Sequence, residues 1–515
     1  MAPLIEQAFP SSTTFFISVL CFTLLILLFT KRIFKNKPNP PPSPPKLPLL
    51  GNLHQIGPLP HRSFQELSKK YGPIMLFHLG EIPTLVVSSA QMAREVLKTH
   101  DSVFASRPHF KAATILSYNH HDIAFSPYGE QWRCLRKITS MHLFSSKRVL
   151  QTFKTLREEE VLFMVNKIKK EAETSTDGDG IVNMRDAFYK FTNDIICHMI
   201  SGKTFRRDGR EEKLMNMVLE SVPLLGKFNP EDFFPSLKWI GPILGATVRK
   251  EAQKIFNMGY AMMTEVLKDR VEGRTEGDED FLDILLKLQK DEKQKKEFEI
   301  NDMHIKALCY QSLTAGSEPL ALSLEWTMLE LLRHPRVLKK LQEEVRAIPS
   351  QNEVLKSEDV TNLSYLKAAI TESFRLHPPT PLLIPRESMD YCNVEGYDIP
   401  KGSRIFVNTY AMGRDPAVWD NPLEYRPERF VNNPFNYNGN TYEITPFGGG
   451  RRICPGLQLS LLTMELALAN ILWCFDWELP RGLKPEDVDM TETPSLSLKR
   501  KEDLLLVAKP RKITS

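Results

Sequence analysis

One of the seven cysteines stands in a setting that suits chemistry. Residues 446–456 read PFGGGRRICPG, so Cys454 follows three glycines and two arginines and precedes a proline. Consecutive glycines are poor helix and strand formers, and they let the backbone approach another group closely. Proline suits the first turn of a helix, and the residues after it have a helical period. The sequence therefore places Cys454 at a helix N-terminus, where the dipole and free N–H groups favour a thiolate.

The other six cysteines limit the kinds of site to which Cys454 could belong. They are scattered and form no C-x-x-C pair, which argues against a disulfide framework or a structural zinc site. These six residues suit inert thiols in a reducing compartment: Cys21, Cys134, Cys197, Cys309, Cys392 and Cys474. A lone thiolate is the ligand that a haem iron takes on its proximal side for O–O cleavage. Arg452, two residues earlier, can reach an anionic haem propionate.

The bulk composition excludes some classes of protein. Lys plus Arg number 67 and Asp plus Glu number 63, so the net charge of +4 is too small to indicate nucleic-acid binding. With 42% hydrophobic and 25% charged residues, the 515-residue chain suits a globular protein with a large core. No second strong linker and no internal repeat follows the N-terminal region, which predicts one large domain over residues 53–515.

The N-terminal region reads as a membrane anchor followed by a hinge. Residues 11–30 carry no charge and are long enough to cross ~30 Å of hydrocarbon as a helix. Basic residues follow at once, which places the N-terminus in the lumen and the rest in the cytosol. A cleaved signal peptide is disfavoured, because a basic leading region and a small-residue cleavage site are both missing. We therefore predict an anchor over residues 1–30 and a basic, proline-rich, semi-rigid hinge over residues 31–52.

The elements that must position Cys454 are mostly helical. Residues 73–89 alternate on both sides of a Gly-Glu-Ile-Pro turn and predict a β-hairpin. Apolar periodicity predicts helices over residues 141–173, 210–224, 243–271, 281–290, 300–334 and 336–347. Residues 174–180 and 272–280 are predicted to be polar loops. The fold class is thus mainly α with small β-sheets (α+β).

The cysteine segment resembles the haem-binding signature of the cytochrome P-450 family, F-x-x-G-x-R-x-C-x-G, at every fixed position. The resemblance implies the fold of that family, with haem b buried between the long central helix and the helix after the cysteine loop. It implies that Cys454 is the axial ligand of the haem iron. Phe447, Arg452 and Gly456 would be haem-binding residues, and residues 53–515 would be the haem-thiolate catalytic domain.

Further motifs of that family follow in the expected order. TESFRLHPP (371–379) and PERF (427–430) resemble the segments that supply a buried triad, here Glu372, Arg375 and Arg429, whose role is structural. QWRCLRK (131–137) resembles the W-x-x-x-R helix, so the resemblance implies that Trp132 and Arg136 contact the haem propionates. Arg386 is implied to do the same. Several cations would balance a dianionic haem edge that is otherwise costly to bury.

Other segments resemble the plant microsomal enzymes of specialised metabolism, namely PPSPPKLPLLGNLHQ, EWTMLELLRHP and DVDMTETPSLSLKRKEDLLLVA. This resemblance implies a single-pass protein of the endoplasmic reticulum membrane, in contact with lipid, with its catalytic domain in the cytosol. It implies a monooxygenase that uses dioxygen and takes electrons from NADPH-cytochrome P-450 reductase, without binding NADPH itself. The implied substrate is a lipophilic terpenoid, alkaloid or phenolic.

The central helix departs from the family pattern A/G-G-x-D/E-T at one position. Ala315, Gly316, Ser317 and Glu318 fit the pattern, but Pro319 replaces the threonine. Proline has no hydroxyl and no N–H, so it is expected to free the carbonyl of Ala315 and kink the helix.

Three outcomes stay open for the reaction. Ordinary monooxygenation persists if protons arrive through water, Glu318 and either Ser317 or Thr314. A hydroxyl or amine of the substrate could instead complete the relay. In the third outcome, the enzyme catalyses a rearrangement, dehydration or oxidative cyclisation. A non-catalytic haem-binding protein is a further alternative.

The substrate pocket is expected, by resemblance, over residues 108–124, 217–245, 313–320, 381–384 and 494–498. Its apolar members would be Leu382, Leu383, Ile384 and Leu496, which suit a lipophilic molecule. His120 and His121 could polarise a substrate, although adjacent loop histidines are more often simply hydrogen-bonded.

Overall fold

The computed structural model describes Leu20, Thr23 and residues 38–174, 180–206, 209–272, 280–433, 435–437 and 441–511. The predicted anchor therefore lies outside the described residues, except for Leu20 and Thr23. The basic part of the hinge, residues 31–37, and most of the two predicted polar loops lie outside them as well.

Helices make up most of the described chain, and the strands are short. The α-helices, in chain order, are α1 Pro60–Tyr71, α2 Ala90–Arg94, α3 Lys111–Leu116, α4 Glu130–His142, α5 Lys154–Thr174, α6 Met184–Ser201, α7 Glu211–Gly226, α8 Gly241–Leu244, α9 Ala246–Glu272, α10 Phe281–Lys290, α11 Glu292–Glu297, α12 Asp302–Arg333, α13 Pro335–Arg346, α14 Ser364–Leu376, α15 Thr409–Met412, α16 Glu428–Val431 and α17 Leu457–Cys474. The strands are β1 Ile74–Leu79, β2 Ile82–Val87, β3 Ile181–Asn183, β4 Arg386–Glu387, β5 Cys392–Val394, β6 Tyr397–Ile399, β7 Arg404–Val407, β8 Phe475–Glu478, β9 Glu492–Thr493, β10 Lys499–Arg500 and β11 Leu505–Pro510. The predicted fold class, mainly α with small sheets, is confirmed.

The strands form four small sheets beside the helical body. Their orders are β1-β2-β7-β4, β3-β11-β8, β10-β9 and β5-β6. The predicted hairpin is present, with Ile74 opposite Val87 and Leu79 opposite Ile82, so the turn is limited to Gly80 and Glu81. The proline-rich hinge lies against this sheet, because the amide of Leu76 donates to the carbonyl of Pro42 at 3.0 Å.

The central helix α12 runs through the middle of the largest apolar core. A capping box starts it: the Asn301 side chain accepts from the amide of His304, and the His304 ring accepts from the amide of Asn301. Most of its residues are buried, and α6 packs along it closely. A Cβ at Gly316 would come within 3.0 Å of Ile196 on α6. The small residue at Gly316 therefore allows the two helices to approach.

Helix α17, which follows the cysteine loop, is also a core element. Within the described part of the chain it is the one helix long and apolar enough to cross a bilayer, yet 67% of it is buried inside the fold. Burial of that extent is typical of a core helix. α17 therefore lies in the core and starts directly after the cysteine loop.

The predicted helix over residues 141–173 is wrong in its first part. Helix α4 ends at His142, and the amides of Leu143 and Phe144 both donate to the carbonyl of Thr139. Ser145 then starts a new helical segment, since its carbonyl accepts from Val149 and its hydroxyl accepts from Arg148. Serine favours such a cap over continued helix, because its side chain competes for backbone hydrogen bonds.

Candidate active site

The cysteine loop is shaped by glycines in left-handed conformations. Gly448 has a φ of 70° and Gly450 a φ of 62°, a region that side chains rarely adopt. A Cβ at Gly450 would lie 2.3 Å from the carbonyl oxygen of Leu97. The amide of Cys454 donates to the carbonyl of Phe447 at 2.9 Å and closes the loop. The prediction that these glycines allow close backbone approach is confirmed.

The thiol of Cys454 is held inside this loop, three residues before α17 begins. Burial raises its pKa, while the amide of Gly456 and the charge of Arg136 act in the opposite direction. The amide of Gly456 at the start of α17 acts in the direction that was predicted for the helix N-terminus, but burial of the thiol has the larger effect. A metal ion that binds the sulfur reverses this balance, because a coordinating thiol is deprotonated outright. Beside it, the Phe447 ring contacts Phe374 at 5.4 Å between centroids.

Three arginines are buried next to the loop. Arg386 pairs with Asp101 at 3.1 Å and donates to the carbonyl of Gly449 at 2.5 Å. The guanidinium of Arg452 has no carboxylate partner within 4 Å among the described residues. It donates instead to three carbonyls, those of Ala105, Ile123 and Ser126.

The third buried arginine, Arg107, was missed by the sequence analysis. It donates to the carbonyls of Ala124, Ile384 and Pro385, and it is only 6% exposed. Burial and the charges of Arg452 and Arg386 hold its pKa well below the usual value. Nothing in the local sequence distinguishes it from a surface arginine, since it lies in an irregular segment without periodicity.

The cluster of these three arginines carries unbalanced positive charge. Its buried acid is Asp122, which accepts from the amides of Phe125 and Ser126, and burial raises its pKa to about 6. Burial, with the charge of Arg386, lowers the pKa of Arg452 to about 9. Buried cations are costly unless an anion compensates them. These arginines therefore suit a partner with two negative charges, such as the two propionates of haem. The thiol of Cys454 lies next to them and can bind the haem iron.

The two remaining predicted haem contacts have protein partners of their own. The indole N–H of Trp132 donates to the carbonyl of Ile123 at 3.0 Å, and its ring lies 4.3 Å from the Arg452 guanidinium. Arg136 donates to the carbonyl of Ile453 at 2.7 Å, inside the cysteine loop. The structure thus brings Trp132, Arg136, Arg386, Arg452 and Cys454 together.

The predicted structural triad is assembled in full. Arg375 makes two parallel bonds to Glu372, each of 2.7 Å, and both side chains are completely buried. Arg429 joins the same carboxylate at 3.2 Å. The Nη1 atom of Arg375 donates to the carbonyls of Gly413 and Pro422, and Nη2 also donates to the carbonyl of Glu424. These contacts tie α14 to the segment that leads to the cysteine loop.

The central helix α12 keeps its α-helical conformation through Pro319, from Asp302 to Arg333. The proline therefore does not end the helix, and the kink at this position stays a prediction. The carbonyl of Pro319 accepts from the Ser323 hydroxyl at 2.7 Å. Ala315 is exposed, Gly316 is half-buried, and Ser317 and Glu318 are buried. Thr314, a candidate relay group, turns its hydroxyl to the carbonyls of Tyr310 and Gln311.

Glu318 is a buried acid that lacks a protein hydrogen bond. It is 1% exposed, and neither carboxyl oxygen has a partner within hydrogen-bond distance. Burial raises its pKa to about 8, whereas Lys499 and the Ser497 hydroxyl oppose that rise. At neutral pH the carboxyl therefore holds a proton that it can give away.

A cavity of about 1000 Å³ opens between α1, the end of α7 and the loop that joins β9 to β10. Leu382, Leu383 and Leu496 line it as predicted, with aromatic rings that include Phe110 and Phe228. Ile384 is not among its lining residues, so this part of the prediction is wrong; the Ile384 carbonyl accepts from Arg107 at 2.6 Å. Among the described residues, the expected 313–320 turn does not line this cavity either.

Four of the charged residues at the cavity form two ion pairs. Lys227, just after α7, bonds Glu251 on α9 at 2.8 Å, and Lys254 on α9 bonds Glu220 on α7 at 3.1 Å. A further lining acid, Asp232, accepts from the amide of Lys111 at 2.8 Å. The remaining lining is mainly aliphatic and aromatic. The cavity therefore offers an apolar molecule a large surface and few polar anchors.

The histidines His120 and His121 are hydrogen-bonded side chains of the loop beside α3. The His120 ring lies 3.0 Å from the His109 ring, and burial lowers the pKa of His120 to about 4. The His121 ring bonds the carbonyl of Tyr118 at 2.5 Å. Neither lines the cavity among the described residues, so the plain alternative of hydrogen-bonded loop histidines fits the structure.

The fold and the site define a haem-thiolate enzyme class, and comparison with known proteins supports it. Residues 41–507 match the family model described as cytochrome P-450. The chain belongs to the cytochrome P-450 family. It is accordingly a monooxygenase-type oxidoreductase that uses haem b, with NADPH-derived electrons supplied by a redox partner.

Plant members of the family resemble the chain over almost its whole length. It is 42% identical to cytochrome P-450 71B22 of Arabidopsis thaliana over 491 residues, which cover 94% of this chain and 97% of that protein. It is also 42% identical to cytochrome P-450 736A117 of Prunus mume over 509 residues, which cover 96% of each. A solved zebrafish cytochrome P-450 with progesterone superposes with a TM-score of 0.72 at 23% identity, covering 88% of this chain and 99% of that chain. That likeness shows the fold alone.

Proposed function

We propose that this protein is a membrane-bound monooxygenase that oxidises a lipophilic small molecule of plant specialised metabolism. The observation that carries the proposal is the apolar cavity of about 1000 Å³ with its mutually paired charges. A terpenoid, an alkaloid or a phenolic matches such a lining. The likeness to plant relatives at 42% identity supports the plant assignment.

In this proposal the thiol of Cys454 would hold the haem iron, and haem would supply the activation of dioxygen there. Arg386 and Arg452, with Trp132 and Arg136, would hold the propionate edge. Gly456 lies next to the sulfur, since a Cβ at this position would be 3.9 Å from the Cys454 Sγ. The triad of Glu372, Arg375 and Arg429 fixes the segment that carries the cysteine. Each of these roles rests on the contacts described above.

Around Glu318, the side chains of the central helix would hold and transfer protons without the threonine that the family usually has at position 319. Glu318 holds a proton in a buried site, and the Ser317 hydroxyl next to it also lacks a protein partner. Leu382, Leu383 and Leu496 bind and orient the apolar substrate and exclude water. We place ordinary monooxygenation first among the possible outcomes. Rearrangement, dehydration or oxidative cyclisation is the second candidate, because Pro319 removes a hydroxyl from the relay.

We place the protein at the endoplasmic reticulum membrane, with the catalytic domain in the cytosol and NADPH-cytochrome P-450 reductase as electron donor. Exposed apolar side chains support lipid contact beside the cavity: Leu47, Leu49, Leu50, Phe228, Trp239 and Ile243. The amide of Gly80 donates to the carbonyl of Leu50 at 3.3 Å, and a Cβ at Gly80 would lie 2.4 Å from the carbonyl oxygen of Phe233. These contacts bring the hinge and the Phe233 segment together on one side of the molecule.

Co-expression with a plant reductase, followed by a mass-spectrometric screen of lipophilic metabolites, tests the proposal. Turnover that requires NADPH, reductase and dioxygen together supports a monooxygenase. Turnover with hydroperoxides alone would indicate rearrangement chemistry, and no turnover in any condition would indicate a haem-binding protein without catalysis.

The role of Pro319 is tested by replacing it with threonine and measuring product per NADPH consumed. If substrate groups or water replace the missing hydroxyl, Pro319→Thr changes the coupling ratio. Unchanged coupling and an unchanged product would make the proline a neutral helix residue.

A further inference from the structure

The β9–β10 hairpin contributes part of the cavity wall. The residues at its tip line the cavity, namely Pro494, Ser495 and Leu496. Its strands are joined by two residue pairs, Thr493 with Lys499 and Glu492 with Arg500. A two-stranded hairpin is marginally stable at best on its own in water. The position of the tip at the cavity therefore depends on the side chains that hold the hairpin to the rest of the fold.

Strand β10 is fixed to the helical core. The carboxylate of Glu325 on α12 accepts from Arg500 at 3.3 Å and from Arg185 on α6 at 2.9 Å. The Trp326 indole donates to the carbonyl of Leu498, just before β10, at 2.7 Å. Charge-assisted bonds between buried groups are among the stronger hydrogen bonds in proteins. β10 is therefore held to α12, which leaves the β9 side of the hairpin to be positioned by other contacts.

Glu492 ties the β9 side of the hairpin to α1. Its Oε1 atom accepts from Nη2 of Arg62 at 2.6 Å. Its Oε2 atom accepts from Nε of Arg62 at 3.3 Å and lies 2.8 Å from Nε2 of His61. The Glu492 side chain is 3% exposed. Burial acts to raise its pKa, but the hydrogen bonds from His61 and Arg62 lower that pKa to about 2, so the group is a carboxylate at neutral pH.

These bonds are the polar connection between α1 and the hairpin. Within the part of the chain that the structure describes, every hydrogen bond between the two elements goes to Glu492. Helix α1 also belongs to the cavity wall, because Pro60, His61 and Phe64 line the cavity. The Arg62 side chain is 49% exposed, so the contact extends from the buried wall to the surface. Glu492 therefore joins two parts of the wall at a place where the wall meets solvent.

Helix α15 and the residue before it hold the start of α1 independently of Glu492. The Tyr410 ring contacts the His61 ring edge-on at 4.7 Å between centroids, and the Arg62 guanidinium lies 5.3 Å from the same ring. The side-chain amide of Asn408 donates to the carbonyl of His61 at 2.9 Å. Removal of the Glu492 carboxylate should therefore release the hairpin and leave α1 in place.

We propose that Glu492 is a positioning residue for the substrate, which holds the hairpin tip to α1 and so limits the size of the molecules that enter the cavity between them. The inference rests on the proposed function, since it takes the cavity as the place where a lipophilic substrate binds. Without the carboxylate, the tip moves away from α1 and the wall opens at the surface. Large apolar molecules then enter faster, whereas the entry of small ones does not change.

Stopped-flow absorption spectroscopy of the full-length haem-loaded protein in vesicles tests this role with two probes of different size. Clotrimazole is a bulky apolar azole and carbon monoxide is a small gas, and both change the haem spectrum when they bind. We expect Glu492→Ala to bind clotrimazole about fivefold faster, as the loss of a partly exposed ion pair allows, with the carbon monoxide rate unchanged. Arg62→Gln, which leaves His61 in place, should give a smaller increase in the same direction.

The matched control is Glu502→Ala, which removes an acid just after β10 that is 62% exposed. We expect this variant to bind both probes at the wild-type rates. Hydrogen exchange followed by mass spectrometry is a second measurement that needs no ligand. The amides of residues 493–498 should exchange faster in Glu492→Ala than in Glu502→Ala.

The proposal is overturned if Glu492→Ala and Glu502→Ala bind clotrimazole at the same rate. It is also overturned if the carbon monoxide rate rises in parallel, because that indicates a general loosening of the fold. Should Glu492→Ala lose its haem, the binding rates and the hydrogen exchange of Arg62→Gln decide in the same way. Failure of the proposed function would show instead as no turnover of any lipophilic metabolite, with the difference in clotrimazole rates intact.

Discussion

At the scale of single residues, the two neighbouring arginines of the cysteine loop differ sharply in burial. Arg452 is buried among carbonyls, whereas the Arg451 side chain is 46% exposed and lies 3.4 Å from Asp101. A buried cation without a carboxylate needs an anion to offset its desolvation. We assign the haem edge as the anion for Arg452 and no such anion to Arg451.

Replacement of each arginine by leucine tests this assignment. Arg452→Leu should lower the haem bound per protein about tenfold, since a charge-assisted bond contributes about 1.5–3 kcal/mol. Arg451→Leu should retain the wild-type haem content, which a pyridine haemochromogen assay measures. Equal haem content in the two variants would contradict the assignment.

Glu318 gives a second prediction, on stability and pH. Its pKa in the fold, about 8, lies above its ordinary value of 4.5, so the native state binds more protons than the unfolded state between these values. Stability therefore falls as pH rises from 4.5 to 8, by about 5 kcal/mol at most.

Glu318→Gln removes this dependence. We expect the variant to have a higher apparent Tm than the wild type at pH 8.5 and a similar one at pH 5. Glu325→Gln is the contrasting variant, and it should be less stable at both pH values because it leaves Arg185 and Arg500 without their carboxylate. A Tm difference for Glu318→Gln that does not depend on pH would refute the raised pKa.

Residues differ in how far the sequence alone could predict them. Cys454 and the triad lie in motifs with fixed spacing, so their positions and contacts followed from the pattern. Arg107 becomes significant only through burial next to other charges, which depends on long-range packing. Ile384 was expected in the pocket from its apolar character, but it does not line the described cavity.

At the scale of elements, the cysteine loop depends on a backbone that only glycine adopts at two positions. Gly450→Ala would add a Cβ 2.3 Å from the carbonyl of Leu97 and strain a φ of 62°. Gly402, with a φ of 76° and nothing within 4 Å of its Cβ position, is the matched control. We expect Gly450→Ala to abolish haem binding, while Gly402→Ala lowers stability by only about 1 kcal/mol. Haem content and Tm of the two purified variants check this, and haem retention in Gly450→Ala would contradict it.

Helices of strong periodicity and clear caps were predictable from sequence. The helix over residues 281–290 begins and ends as expected, because Asp280 caps its first turn by accepting from the amide of Asp283. The helix over 141–173 was not, since the cap at Ser145 interrupts a stretch whose apolar period continues. Periodicity reports burial, but local side-chain hydrogen bonds decide where a helix starts.

At the scale of the whole molecule, exposed apolar side chains gather on the side that carries the hinge and the cavity. Trp239 is 78% exposed and Ile243 77%, which is unusual for large apolar residues on a protein surface. Leu49 of the hinge is 84% exposed. We infer that this side rests in the lipid surface, so that lipophilic substrates reach the cavity from the membrane.

Quenching of tryptophan fluorescence by brominated lipids measures this contact on the full chain in vesicles. We expect Trp239→Phe to remove most of the quenchable fluorescence. Trp477→Phe, which changes a buried tryptophan, should leave the quenchable part unchanged. Equal quenching in wild type and Trp239→Phe would place this side away from the bilayer.

The central claim, that Cys454 holds a haem iron as a thiolate, is tested most directly by the absorption of the reduced carbon monoxide complex. We predict the thiolate-specific absorption band of the family for the wild type. Cys454→Ser should lose that band while the buried arginines keep some haem bound. A wild type that binds haem without the band, or a Cys454→Ser variant that keeps it, would contradict the account.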